Sequence, residues 1–180
     1  MGAQRQLIIA IMVAIISVGG AAAALYQIQR KESSFETYRN TQFSFEIKYP
    51  EGWRRGTPKE ENIIVELTSP KEEISFHVGA YEAKEVITLE HLKELNSEVL
   101  LTREDNGPPV SVESTDIELA GLPAFRVLTK DKTGSVNMVI TALAGQIIYV
   151  LQYKYYPDTP KKLIKATEKI VSSFALAQDN

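Results

Sequence analysis

No cysteine occurs among the 180 residues. Structural disulfides, thiolate metal sites, a cysteine nucleophile and a lipidated cysteine are therefore all excluded. Histidine is nearly as scarce, with only His77 and His91. A zinc site or catalytic triad would need both to converge with a third group, and neither stands in an H-x-E or H-x-x-x-H spacing. His77 falls on the polar register of its segment and His91 lies beside a leucine stripe, so both read as solvated or packing side chains. G-x-x-x-x-G-K, G-x-G-x-x-G and G-x-S-x-G are also missing, which leaves nucleotide-binding and hydrolase readings without a motif.

Charge of one sign is missing in places too. All 23 acidic residues lie after residue 30, while Arg5 and Arg30 leave 18 of the 20 basic residues in the remainder, a net of −5 there. A mildly acidic body without a Lys/Arg block argues against nucleic acid as a partner. At 44% apolar and 24% charged residues the composition is that of a globular domain, and the length fits one such domain.

The chain opens with an uncharged stretch from Gln6 to Gln29. Within it, Leu7 to Leu25 is a run of 19 apolar or small residues apart from Ser17. Spanning a bilayer takes about 20 such residues. The run fits a retained N-terminal transmembrane helix. It also fits a cleaved signal peptide, with Arg5 as n-region, Leu7 to Val18 as h-region and Ala21 to Ala24 as cleavage site. The Lys/Arg balance around the run slightly favours a cytoplasmic body. Because signal-like N-terminal segments direct the export of the domain behind them, the body is nevertheless expected to be extracytoplasmic, in periplasm, thylakoid lumen or at the cell surface.

Residues 31–41 are polar and aperiodic and read as a tether between this segment (1–30) and a domain over 42–176, with 177–180 as tail. Phe43, Phe45, Ile47 and Tyr49 alternate with Ser44, Glu46 and Lys48, a half-buried strand that Pro50 and Gly52 end. Trp53, the only tryptophan, comes next and is expected to fold back onto that strand. Further strands are expected over Asn62 to Ser69, Ile74 to Val78, Val110 to Leu119, Leu122 to Thr129, Ser135 to Leu143 and Ile147 to Tyr155. Thr88 is placed to cap a helix carrying Leu89, Leu92, Leu95 and Val99, which Asn106-Gly107-Pro108-Pro109 ends. Asp158 is expected to cap a last helix with Leu163, Thr167, Ile170, Val171 and Phe174 on one face, and the chain from Ala175 is expected to fray. Tight turns make neighbouring strands antiparallel. The expected fold is α+β, an antiparallel sheet of six to seven strands covered by helices.

Several of these stations resemble the PsbP-like family, that of the extrinsic photosystem II subunit, within the Mog/PsbP-like superfamily. Phe43 to Trp53 resembles its opening strand and turn. Leu119-Ala120-Gly121-Leu122-Pro123-Ala124 is similar to its Gly-x-Pro-Ala turn, Gln146 to Leu151 to its late strand, and Ile170-Val171-Ser172-Ser173-Phe174 to its closing Ile-x-x-Ser-Phe. Together they cover roughly residues 38 to 176. The resemblance implies a central antiparallel sheet with helices on both faces. It also implies a non-enzymatic accessory protein without a cofactor, associated with photosystem II in photosynthetic members.

Function on such a scaffold is expected in exposed loops and sheet edges, against a membrane-protein partner, with the body itself monomeric. The expected partner surface comprises Glu60, Glu61, Arg103, Tyr153 and Tyr155. Tyr149, Tyr153 and Tyr155 share one register of their strand, so they either line a binding face or support the sheet under a helix. Glu104 and Asp105, in Glu104-Asp105-Asn106-Gly107, are the best oxygen cluster for calcium, although no EF-hand pattern is present. The alternative expectation is an exported ligand- or metal-binding domain unrelated to photosynthesis.

Overall fold

The computed structural model of the protein describes residues 34–102, 109 and 111–177. The run Leu7 to Leu25, the cluster Arg103, Glu104 and Asp105, and the tail 178–180 lie outside the described residues. No helix among the described residues is long and apolar enough to cross a membrane.

Among the described residues ten strands and two helices succeed one another: β1 Phe35–Asn40, β2 Phe45–Pro50, β3 Arg54–Gly56, β4 Ile63–Thr68, β5 Ser75–Glu82, α1 Leu89–Thr102, β6 Ser111–Leu119, β7 Leu122–Lys130, β8 Val136–Ala144, β9 Ile147–Tyr155, α2 Lys161–Ser172 and β10 Ala175–Leu176. Seven strands form one sheet in the order β3-β4-β5-β9-β8-β7-β6, and β1-β2-β10 form a small second sheet. Each pair in the large sheet is antiparallel. All of its pairings join strands adjacent in sequence except one. β9 returns to pair with β5, placing Phe76 opposite Tyr153 and Val78 opposite Leu151.

Alternation divides the strands between two cores. Phe76, Val78, Met138, Ile140, Tyr149, Leu151 and Tyr153 point to the side where Phe45 and Ile47 of β2 and Ile170 of α2 close the main core. Trp53 joins that core at 6% exposure, as its position after the Pro50 stop leads one to expect. On the opposite face Phe125, Val127 and Ile148 pack beneath Leu92 of α1. Thr88 accepts a hydrogen bond from the His91 amide at 3.2 Å and caps α1 as expected. Lys93 then ties that helix to β6 through Asp116 at 2.7 Å, and this hydrogen bond raises the Lys93 pKa.

Five expectations need correction. The tether is in part a strand, since Phe35–Asn40 pairs beside β2 and Glu36 accepts the Tyr49 phenol proton at 2.8 Å. Residues 43 and 44 belong to the turn before β2, whose strand starts at Phe45. Asp158 does not cap α2: Pro160 holds the cap position without a side-chain hydrogen bond. The preceding turn is closed by Thr159, which accepts from the Tyr156 amide at 3.0 Å. Leu95, at the edge of the leucine stripe, is 43% exposed. The chain after Phe174 does not fray, because Ala175 and Leu176 pair with Glu46 and Phe45.

The β6–β7 hairpin is regular throughout. Its nine positions pair without a shift around the two-residue turn Ala120-Gly121. Both turn residues hold positive φ, 53° and 79°, the geometry that matches the twist of flanking strands. Gly121 adopts it freely, whereas Ala120 is strained there.

Candidate interaction surfaces

Helix α1 covers only part of its sheet face. Where it lies, the face is apolar; beyond it the same register turns polar. One row across the sheet there reads Glu66, His77, Gln152, and the next reads Ser75, Lys154, Asn137, Thr129. His77, Gln152, Ser75, Lys154, Asn137 and Thr129, together with Asp131 and Ser135 from the β7–β8 turn, line an open cleft of about 340 Å³.

The groups in the cleft are mostly engaged with one another. The Gln152 amide donates to the Asn137 carbonyl oxygen at 3.1 Å. His77 Nε2 stands 3.8 Å from Glu66 Oε1. The Asp131 carboxylate accepts from the Thr133 hydroxyl at 2.6 Å and from the amides of Thr133 and Ser135 at 2.9 and 3.0 Å. These bonds, the Thr133 hydroxyl's foremost, hold its pKa below the ordinary carboxylate range. Lys154 Nζ lies 5.3 Å from the centre of the Tyr156 ring. The Ser135 hydroxyl alone is buried without a hydrogen-bond partner among the described residues. Chemically this is a recognition trough of amide, imidazole, ammonium and hydroxyl groups.

Of the residues expected from sequence to form a partner surface, Glu60 and Glu61 lie apart from Tyr153 and Tyr155. Glu60 and Glu61 are exposed, and the Glu60 carbonyl closes the turn into β4 by accepting from the Ile63 amide at 3.1 Å. Glu61 and Asn62 border a separate shallow hollow with Gln42, Phe43 and Tyr81. Tyr153 is 4% exposed and stacks on Phe76 in the main core, with ring centres 6.0 Å apart. Burial, with Glu168 as the next cause, pushes its pKa up to about 12. It packs in the main core and supports the sheet. Tyr155 is half-buried and stacks on Tyr153 at 6.2 Å. Arg103, Glu104 and Asp105 lie outside the described residues. Among the described residues no group of three or more His, Asp or Glu is placed to hold a metal.

Lys154, Gln152 and Asn137 carry the cleft and are absent from the surface expected from sequence. Their signal is present there, since Gln152 and Lys154 alternate with Leu151, Tyr153 and Tyr155. That alternation does not say which end of the face a helix leaves open.

No family model matches the chain, and no curated protein matches it in sequence. Solved structures do match in shape. Cyanobacterial PsbP (CyanoP) from Synechocystis sp. PCC 6803 superimposes with a TM-score of 0.63 at 16% identity, over 79% of this chain and 92% of that one. LpqN of Mycobacterium tuberculosis, involved in cell envelope biogenesis, gives 0.57 at 13% identity, over 81% and 91%. A protein of Bacteroides thetaiotaomicron gives 0.53 at 11% identity; the chain spans about half (49%) of it. The body of this chain has the PsbP-like fold.

Proposed function

We propose that this protein is a non-enzymatic accessory subunit, held at an extracytoplasmic membrane surface by Leu7 to Leu25, that binds and stabilises a membrane-protein complex. Support comes chiefly from the shape match to cyanobacterial PsbP, which extends over nearly all of that chain. A second match, to a protein involved in cell envelope biogenesis, is consistent with an exported body. In a photosynthetic source the complex would be photosystem II and its oxygen-evolving centre.

The test is capture through the intact N-terminal segment. The full chain, crosslinked in its own membranes and purified in mild detergent, is expected to bring down a membrane protein in fixed proportion. It should resist extraction by alkaline carbonate and retain residues 1 to 24 in its intact mass. A soluble species beginning near Leu25 would overturn the anchor, and a chain recovered alone would overturn the accessory role.

A second reading, an exported ligand-binding domain, is favoured by the polar cleft around His77 and Lys154. Thermal stabilisation of the purified protein by a small polar metabolite, abolished in Lys154→Ala, would support it over the first.

A further inference from the structure

Strand β6 is the last strand of the large sheet, and among the described residues nothing pairs with its outer side. It has nine residues, and Ser111 to Asp116 are all exposed. An edge strand carries a row of backbone N–H and C=O groups aimed outward, ready to accept another strand. Proteins usually blunt such edges with brevity, Lys, Pro or a bulge. The opposite edge does so: β3 has three residues, among them Arg54 and Arg55. β6 is neither short nor bulged nor broken by Pro, and its charged side chains are all acidic. It is long, and its register with β7 runs unbroken from Ser111 to Leu119.

What β6 does carry is charge of one sign. Glu113, Asp116 and Glu118 stand on it, and no Lys or Arg does, although Lys93 of α1 already pairs with Asp116 at 2.7 Å. Glu113 falls on the face toward α2, and Asp116 and Glu118 on the face toward α1. An added strand therefore meets carboxylates on both of its sides. Pairing of β6 with a second copy would bring the Glu113 and Glu118 carboxylates of both copies, four in all, into one seam, and like charges across strands are destabilising. A basic extended segment reverses that sign. Val112, 49% exposed, offers an apolar contact at the start of the strand.

We propose that β6 is a docking edge for an extended, Lys/Arg-bearing segment of a partner protein, which adds to the sheet as an eighth antiparallel or parallel strand. Main-chain hydrogen bonds supply the affinity, and Glu113 and Glu118, one on each face of the strand, select a basic strand and reject a second copy. This specifies the contact surface for the accessory role above and rests on that reading.

The probe is the acetylated, amidated peptide Lys-Lys-Val-Thr-Val-Lys-Lys, which carries Lys on both faces of an extended strand, titrated into the full chain in detergent at low ionic strength. Binding is expected, with amide exchange slowed in β6 and unchanged in β3. The same peptide with alternate backbone amides N-methylated should bind at least about tenfold more weakly, because it retains the charge but cannot pair along one edge. Glu113→Lys with Glu118→Lys, both at exposed side chains, should weaken the unmethylated peptide by a similar factor at an unchanged melting temperature. Equal binding of the methylated peptide, absence of binding, or self-association through β6 would each overturn the inference. Membrane-protein capture that survives in the double variant would overturn the docking edge and leave the accessory role standing. Peptide binding in a chain that captures nothing would overturn the accessory role instead.

Discussion

The phenol of Tyr149 donates a hydrogen bond to the backbone carbonyl of Phe43 at 2.7 Å, joining positions 106 residues apart. The same ring packs edge-on against Phe45 and Phe174, at 6.1 and 5.4 Å between centres. One side chain of β9 thus ties the large sheet to the turn before β2 and to Phe174, two residues beyond α2. Burial raises the Tyr149 pKa, which keeps the donating proton in place. Tyr149→Phe keeps the packing and removes the bond, so it should cost about 1–2 kcal/mol. A lower urea midpoint at unchanged slope would show it; an unchanged midpoint would mean that the bond contributes nothing.

Tyr153 makes stability depend on alkaline pH. Its folded pKa of about 12 lies above the ordinary tyrosine value of about 10. Between those values the unfolded chain has lost the proton and the folded one keeps it. The stabilisation is therefore complete below about pH 10 and falls as pH climbs toward 12, by on the order of 2–3 kcal/mol. Glu168 and Tyr155 act in the same direction and Arg126 against it. Tyr153→Phe should flatten the decline measured by denaturation at stepped pH. An equally steep decline would assign it to the other tyrosines with raised pKa.

Trp53 is large, buried in the main core, and held by a turn in which its amide donates to the Pro50 carbonyl at 3.1 Å. Trp53→Ala should destabilise by about 3–5 kcal/mol. The parent should show blue-shifted tryptophan emission, since no other tryptophan contributes. Emission typical of water-exposed indole would contradict this packing.

Gly79 lies where β4 changes register, opposite Ile63. A Cβ there would come 2.7 Å from the Asn62 carbonyl oxygen, a backbone atom that cannot swing aside. Gly79→Ala should cost about 1–3 kcal/mol, as overpacking does, and should loosen amide protection at the start of β4. Wild-type thermal stability in that variant would show that the Asn62 backbone shifts freely.

Much of the sheet was legible because alternation is local. Ile147 to Tyr155 alternates clearly enough that its strand bounds agree with the structure at both ends. The elements that escaped are those a neighbour creates. β3 and β10 have three and two residues, too few to carry a period. β10 exists because Phe174 stacks on Phe45 at 5.6 Å and because the Ala177 amide reaches the Ser44 carbonyl at 2.8 Å. β1 reads as polar tether because one side of it faces water and only Tyr38 and Phe35 break the polarity. The expected Asp158 cap failed for a local reason of its own: the helix begins beyond Pro160, too far along the chain for that side chain to cap it.

For the surfaces the division is sharper. Periodicity determined that Tyr149, Tyr153 and Tyr155 share one face and that His77, Gln152 and Lys154 share the other, since side chains alternate along any strand. It also determined the hairpins, because turn residues and short connections act within a few positions. Only the tertiary structure decided that α2 and β2 cover the tyrosine face, that α1 stops short of the His77 row, and that β9 lies at the centre of the sheet while β6 lies at its edge. Those outcomes depend on contacts between residues far apart in the chain. A strand's own pattern records how its two faces differ, and carries no record of which partner arrives to bury either one.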